Sequence, residues 1–253
     1  VIQKNPVGAV NVGGHPPPKQ ATAKAPSLSF LKRGQAAQAV LQQEEHKAES
    51  RKNQTYRFFL PEGKNGSITF LDGNIMDGVL DLTYYYEHNV CINGKWGNHF
   101  ICTQDTEPCP ICAGGLYPSY VGVATVIDHS SYTSQKDGKT YKDKIQLFVA
   151  KRDTLKTLQA LAVKRGGLTG WRVDVSRTGE KSAAVGNVFD FISHQTPQQI
   201  IATYGADYKP LDYEKVLGEA YLPASELRKL GFGPNKPPVG SEEADPADYA
   251  NSL

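Results

Sequence analysis

From Tyr56 onward the chain breaks into short apolar or aromatic runs punctuated by Gly, Asp and Asn. Tyr56–Leu60, Ser67–Leu71, Leu80–Glu87, Tyr120–Ile127, Lys144–Ala150, Trp171–Ser176 and Val188–Ile192 all read as strands. One stretch changes period: residues 153–164 place Leu155, Leu158, Leu161 and Ala162 on one helical face, and Gly166-Gly167 stops the helix. Helices are also expected near Pro197–Tyr204 and Pro223–Leu230, against the edge of the strands. Upstream, Ser29 reads as an N-cap and Gln35 to Glu49 as a run of helix formers. Its apolar stripe of Ala36, Ala37, Val40 and Leu41 is too thin to bury much on its own fold. Such a helix either docks on something else, a neighbouring copy being one option, or stays solvated. The fold class is mostly β (α+β): a small barrel with one inserted helix, a hairpin excursion and flanking helices.

Alternation along the strands assigns their faces. From Leu80 and Leu82 the even positions continue into Tyr84 and Tyr86, so those should be buried and Tyr85 exposed. Ile145, Leu147 and Val149 form a core face, which turns Phe148 outward with Lys144 and Gln146. Arg57 and Phe59 alternate against Tyr56, Phe58 and Leu60; Arg172 points away from a core-facing Trp171. Exposed aromatics interleaved with Arg and Lys make the stacking-plus-charge surface that unpaired bases require.

Charge sharpens this picture only when taken regionally. The 253 residues have a formal net charge of +2 and a mean hydropathy of -0.45, the latter implying polar tails. Residues 1–33 carry five cations and no acid, including Lys32 and Arg33, whereas residues 241–253 carry four acids and no base. Between Lys136 and Lys181 twelve cations face five acids, a balance of +7. A basic head and an acidic tail suggest an anionic partner and a segment that competes for the same surface; two solvated tails are the plainer reading. Residues 1–26, rich in Pro and Gly, lack a periodic apolar face and are expected to be disordered.

The four cysteines fall between Cys91 and Cys112. The sequence opens without a signal-peptide pattern, so disulfides are not indicated, and no βαβ pattern surrounds Cys109-Pro-Ile-Cys112 to suggest a redox pair. Tetrahedral zinc is the remaining explanation. Asn93-Gly94 sets a two-residue hairpin in which Ile92 faces Lys95, Cys91 faces Trp96 and His88 faces His99. Cys91 is then roughly 20 Å from the level of Cys102, at ~3.3 Å per residue, too far to share an ion. His88 is near enough, particularly if a bulge in the Gly97–Phe100 run turns Cys102 inward. The expected ligands are therefore His88, Cys102, Cys109 and Cys112, with His99 in reserve should the register slip.

The order of His88, then Asn93-Gly94-Lys95-Trp96, then Cys102 and Cys109-Pro-Ile-Cys112, resembles the zinc ribbon of the T-even phage single-stranded DNA-binding protein family. Phe30-Leu-Lys32-Arg33 ahead of the Ala/Gln-rich helix resembles that family's basic N-terminal motif, and Lys151-Arg152-Asp-Thr-Leu-Lys156 a stretch after its central strands. The likeness covers residues 28–192. It departs from the family in a Trp-to-Cys spacing one residue longer, in Gly34 where a third basic residue stands, and in the long stretch before the basic motif. It implies an OB-fold-like barrel with an inserted zinc-ribbon hairpin, structural Zn2+, and sequence-independent binding of single-stranded DNA in phage replication, recombination and repair. Lys32 and Arg33 would serve cooperative self-association along DNA, and the acidic tail could recruit replication or recombination proteins, in the cytoplasm of an infected bacterium with no membrane attachment. The implied division is 1–26 as a basic extension, 27–53 as the docking arm, 54–232 as the core with the zinc subdomain at 84–116, and 233–253 as linker and acidic tail. The residues expected to meet DNA are Arg57, Phe59, Tyr85, Lys95, Trp96, Lys144, Phe148, Lys151, Arg152 and Arg172. The competing reading is a zinc-ribbon factor that reads duplex DNA, but Lys95 and Asn98 alone are available on the hairpin for base edges. Catalysis finds no footing: there is no phosphate loop, nucleophile elbow or H-E-x-x-H. Asp72 and Asp77, each followed by Gly, read as turn residues rather than as metal ligands with Asp81.

Overall fold

The computed structural model describes residues 33–42 and 56–234, leaving out 36, 93, 134–137 and 180–181. The chain divides into two compact units, residues 1–54 and 55–253. In the first, Gly34 adopts a left-handed φ of 58° and its carbonyl accepts from Ala37 and Gln38, opening a helix that runs to residue 42. Arg33 is exposed there. The expected extension 1–26, Lys32, helix residues 43–49 and the acidic tail lie outside the described residues.

The second unit is built on one antiparallel sheet in the order β11 (Val188–His194), β10 (Trp171–Ser176), β1 (Asn65–Phe70), β6 (Ser119–Asp128), β4 (Thr83–Ile92), β5 (Lys95–Ile101). A further strand, β9 (Lys144–Lys151), also pairs with β6. Two short hairpins stand apart, β2 (Ile75–Met76) with β3 (Val79–Leu80), and β7 (Tyr132–Thr133) with β8 (Thr140–Tyr141). The helices are α1 (Pro110–Ala113), α2 (Arg152–Arg165), α3 (Pro197–Tyr204), α4 (Tyr213–Ala220) and α5 (Ala224–Lys229). Among the described residues no helix is long and apolar enough to cross a membrane.

β6 is the branch of this sheet. One edge pairs with β9 along Val121–Asp128; the other is shared, Ser119–Val123 taking β4 and Val126–Asp128 taking β1. Between the two partners the amide of Thr125 has no strand to bond, and the carboxylate of Asp72 accepts it at 3.0 and 3.2 Å. Tyr213 donates to the same carboxylate, and its hydroxyl lies 2.7 Å from that of Thr125. The barrel expected from the sequence is not closed. The Tyr56–Leu60 segment, read as a strand, makes only one bridge, Arg57 to Leu147, and β11 and β5 are left at the ends of the ordered path.

The main core joins Phe58, Ile68, Phe70, Leu80, Phe148, Leu158 and Val173. Phe148, expected to face outward, is 1% exposed and stands between Phe58 (ring centroids 6.0 Å apart) and Phe70 (5.3 Å). Leu147 on the other face of β9 is buried too, so this strand has no exposed face for alternation to reveal. The tyrosine parity is also inverted: Tyr84 and Tyr86 are exposed and Tyr85 is half-buried. Leu80 belongs to β3 while the ladder of β4 begins at Thr83, so the alternation counted from Leu80 does not run unbroken into β4. Trp171 is half-buried, with Phe191 and His194 packed edge-on against it.

Candidate metal centre and nucleic-acid surface

The β4–β5 hairpin builds half of a four-residue cluster. Ile92 faces Lys95 as expected, but Val90 faces Asn98, so one residue of β4 is opposed by two of β5, Trp96 and Gly97. Gly97 has a φ of 94°, which a side chain would resist, and it supplies the bulge. The slip sets Phe100, not His99, opposite His88, and brings the Cys102 amide to the Tyr86 carbonyl at 2.8 Å. Cys109 and Cys112 come from the first turn of α1, where Pro110 is preset for a helix start and has no amide to satisfy.

The ligand atoms of His88, Cys102, Cys109 and Cys112 all lie within 4.8 Å of one another. His88 Nε2 stands 3.4 Å from Cys109 Sγ and 3.5 Å from Cys112 Sγ, and the sulfurs of Cys102 and Cys112 are 3.6 Å apart. A tetrahedron with metal–sulfur bonds of about 2.3 Å and metal–nitrogen bonds of about 2.0 Å has edges of roughly 3.5–3.8 Å. The four residues therefore fit a metal ion. His88 is 1% exposed, and its Nδ1 is buried without a hydrogen-bond partner, so only the sulfur side of the ring offers it polar company. Burial holds the His88 pKa down to about 4, leaving the imidazole neutral with a lone pair to donate. Burial also pushes the Cys112 thiol up to about 12 and raises Cys102. At Cys109 burial is outweighed by backbone N–H groups, those of Cys112, Thr103 and Ile111, and its pKa falls. Cys91 and His99 both stand outside the cluster; His99 Nδ1 instead lies 2.8 Å from Glu87 Oε1.

The residues expected to meet DNA separate into groups. Arg57, Phe59, Trp96 and Lys151 come from distant parts of the sequence and line one cleft of about 890 Å³, together with His99 and Arg177. Beneath them Glu87, 3% exposed, accepts from both Nη atoms of Arg57 and from the Tyr85 hydroxyl at 3.1 Å. Burial alone would raise the Glu87 pKa, but its bonds to His99 and Arg57 win and hold it at about 2. Arg57 is thus engaged in an ion pair with a buried acid, and Tyr85 is held in the same network rather than presented as a free ring. Burial lowers the pKa of Lys151 in the cleft wall. Arg177 lies over the ring of Phe59 at 5.8 Å while donating to the Leu60 carbonyl at 3.1 Å.

The other expected contacts are not gathered there. Arg172 lines a separate pocket of about 850 Å³ and donates to Ser67 Oγ at 3.1 Å. The Lys144 ammonium sits 4.5 Å over Tyr132, and exposed Arg152 pairs with Asp153 at 3.5 Å. Phe148 is core, and the Lys95 side chain lies outside what is described.

Sequence reasoning missed a tyrosine ladder. Tyr84 pairs with Gly122 and Tyr86 with Tyr120, so the three rings share one face of β4 and β6. Tyr84 and Tyr120 stack at 5.5 Å with planes 10° apart, Tyr86 packs on Tyr120 at 4.9 Å, and exposures run from 37% to 50%. Gly122 leaves the space that Tyr84 and Leu155 occupy: a Cβ there would come within 2.8 Å of both side chains. The run Tyr84-Tyr85-Tyr86 was visible in the sequence, but its partner Tyr120 follows only from the β4–β6 register. Compared with known proteins, the chain matches no family model, and no curated protein is similar to it.

Proposed function

We propose that this chain is a non-enzymatic, sequence-independent single-stranded DNA-binding protein serving replication, recombination or repair. The observation that carries this reading is the meeting of Phe59, Trp96, Lys151 and Arg177 in one cleft. The exposed tyrosine ladder adds a second aromatic surface, on the face of β4 and β6 opposite to the one that Glu87 and Val121 turn to the cleft. Aromatic faces stack on any base at about 1–3 kcal/mol each, and cations neutralise the backbone whatever its sequence. We read the branched sheet as an OB-type framework left open, with β4–β5 and α1 as a zinc ribbon inserted in it. His88, Cys102, Cys109 and Cys112 would hold Zn2+, matching the neutral imidazole and soft sulfur donors; four protein ligands leave no position for water and mark a structural ion. The ion would fix the hairpin that carries Trp96 and His99 into the cleft wall.

Competition between oligo-dT and a duplex of equal length tests the reading. Preference for the single strand, weakening steeply with salt, is expected. Preference for duplex would favour the zinc-ribbon reader of double-stranded DNA instead, and indifference to both in dilute buffer would end the proposal.

A further inference from the structure

The metal cluster is not closed by the hairpin and α1 alone. A second apolar core surrounds it, in which Val90, Cys102, Cys109 and Ile111 pack with Leu227 of α5 and with Phe232, more than a hundred residues downstream. Leu227 is 0% exposed and Phe232 7%, although α5 itself is short and its polar face carries Glu226, Arg228 and Lys229. Phe232 meets Phe100 edge-on at 5.3 Å.

Polar contacts fix the same segment to the loop between Cys102 and Cys109. The Glu107 carboxylate accepts the amide of Ala224 at 2.7 Å, satisfying one of the unpaired N–H groups at the start of α5. The hydroxyls of Thr106 and Tyr221 lie 2.9 Å apart. At Gly114, just past the last cysteine, an added Cβ would stand 3.3 Å from the Gly233 carbonyl, so backbone meets backbone there. Hydrophobic, polar and steric fit thus converge on one contact.

We infer that residues 221–233 form a clasp that seals the metal centre, with Leu227 and Phe232 excluding water and competing ligands, so that metal leaves only when the clasp opens. The inference rests on the reading of the four-residue cluster as a metal site. It assigns Leu227, Phe232 and Glu107 as positioning residues of that site, although none offers a ligand atom to it. The coupling is reciprocal, because whatever the clasp adds to metal retention the metal must add to clasp docking. Without the ion, the loop carrying Thr106 and Glu107 loses its anchor and the clasp should open.

The test uses the full chain loaded with Co2+ or Zn2+. Co2+ absorption first establishes one ion bound through thiolates; absence of binding would overturn the metal reading itself and is distinguishable from failure of the clasp. Metal transfer to a chromophoric chelator is then timed for the wild type, Phe232→Ser, Leu227→Asn and Gly114→Val. The last removes no ligand and no buried side chain, and its side chain would crowd the carbonyls of Gly233 and of Ile111 alike, each 3.3 Å from an added Cβ. Release at least tenfold faster in all three, with the circular dichroism of the loaded proteins unchanged, is expected. As the reciprocal readout, trypsin should cut after Arg228 and Lys229 at least tenfold faster in metal-free protein, while sites in α2 keep their protection. Equal release rates, or cleavage after Arg228 and Lys229 that ignores the metal, would overturn the clasp. If Phe232→Ser or Leu227→Asn fails to fold, the trypsin comparison on the wild type still decides it.

Discussion

Replacing Arg57 by Ala separates the two roles this residue can have. If it is a phosphate contact, the substitution weakens DNA binding and leaves the fold alone. The structure makes it the partner of a buried acid instead: Glu87 is 3% exposed and takes both Nη atoms of Arg57. Removing one member of a buried ion pair costs about 3–5 kcal/mol, because the other charge is left uncompensated. Two considerations lower that figure. The Arg57 side chain is 31% exposed, and Glu87 keeps Tyr85 and His99 as donors. A loss of about 2 kcal/mol is the resulting expectation. With a urea dependence of about 2 kcal/mol per M, the unfolding midpoint of the metal-loaded protein should fall by roughly 1 M.

The paired substitution Arg57→Leu with Glu87→Leu should recover most of that loss, since replacing both charges by apolar groups of similar size is often close to neutral. Salt titration of oligo-dT binding supplies the second assay. A phosphate contact contributes about 0.7 to the log–log slope, and Arg57→Ala should leave the slope unchanged. A slope reduced by about 0.7 together with an unmoved urea midpoint would refute the assignment and restore Arg57 to the DNA surface.

Four further outcomes are expected. His88→Ala should abolish stoichiometric metal binding measured by Co2+ absorption, whereas Cys91→Ala should not, because Cys91 lies outside the cluster. Phe148→Ala should destabilise by about 3–5 kcal/mol in urea unfolding, as for other buried aromatics; a fold-neutral variant with weakened DNA binding would show that the ring faces outward after all. Tyr120→Ala should cost about 1–3 kcal/mol of oligo-dT affinity in a fluorescence titration with the salt slope intact. Asp72 has a pKa raised by burial, so the folded state holds its proton more tightly than the unfolded state does. Its contribution to stability is therefore greatest below the ordinary carboxylate pKa and is lost as pH rises through the folded value. The urea midpoint of the wild type minus that of Asp72→Asn should fall across that window, and a difference that is flat or rising with pH would contradict it.

What could be read from the sequence was set by the range of the interactions involved. The four-residue cluster that could hold a metal ion spans only His88 to Cys112, and each step that builds it is local: a Gly-containing turn, a bulge at Gly97, a Pro at the start of α1. Turn chemistry and ligand spacing therefore fixed it, even though the bulge displaced His99 from the place that simple pairing gave it. Side-chain faces failed where the answer depended on what covers the second side of a strand. β9 alternates in its residue types, yet Phe148 and Leu147 are both buried, because distant Phe58 and Phe70 pack on one of its faces. Asp72 shows the limit most clearly. Read beside Gly73 it is a turn residue, and Gly73 does adopt a left-handed φ of 96°. Its carboxylate nonetheless does something no local pattern encodes, accepting the one amide of β6 that neither β1 nor β4 can reach. A strand that must serve two partners along one edge leaves such an orphan donor by construction, and a buried acceptor close by in the fold is the least disruptive way to satisfy it. The demand for that acceptor arises only once β1, β4 and β6 have met, so it follows from the topology and not from any stretch of sequence.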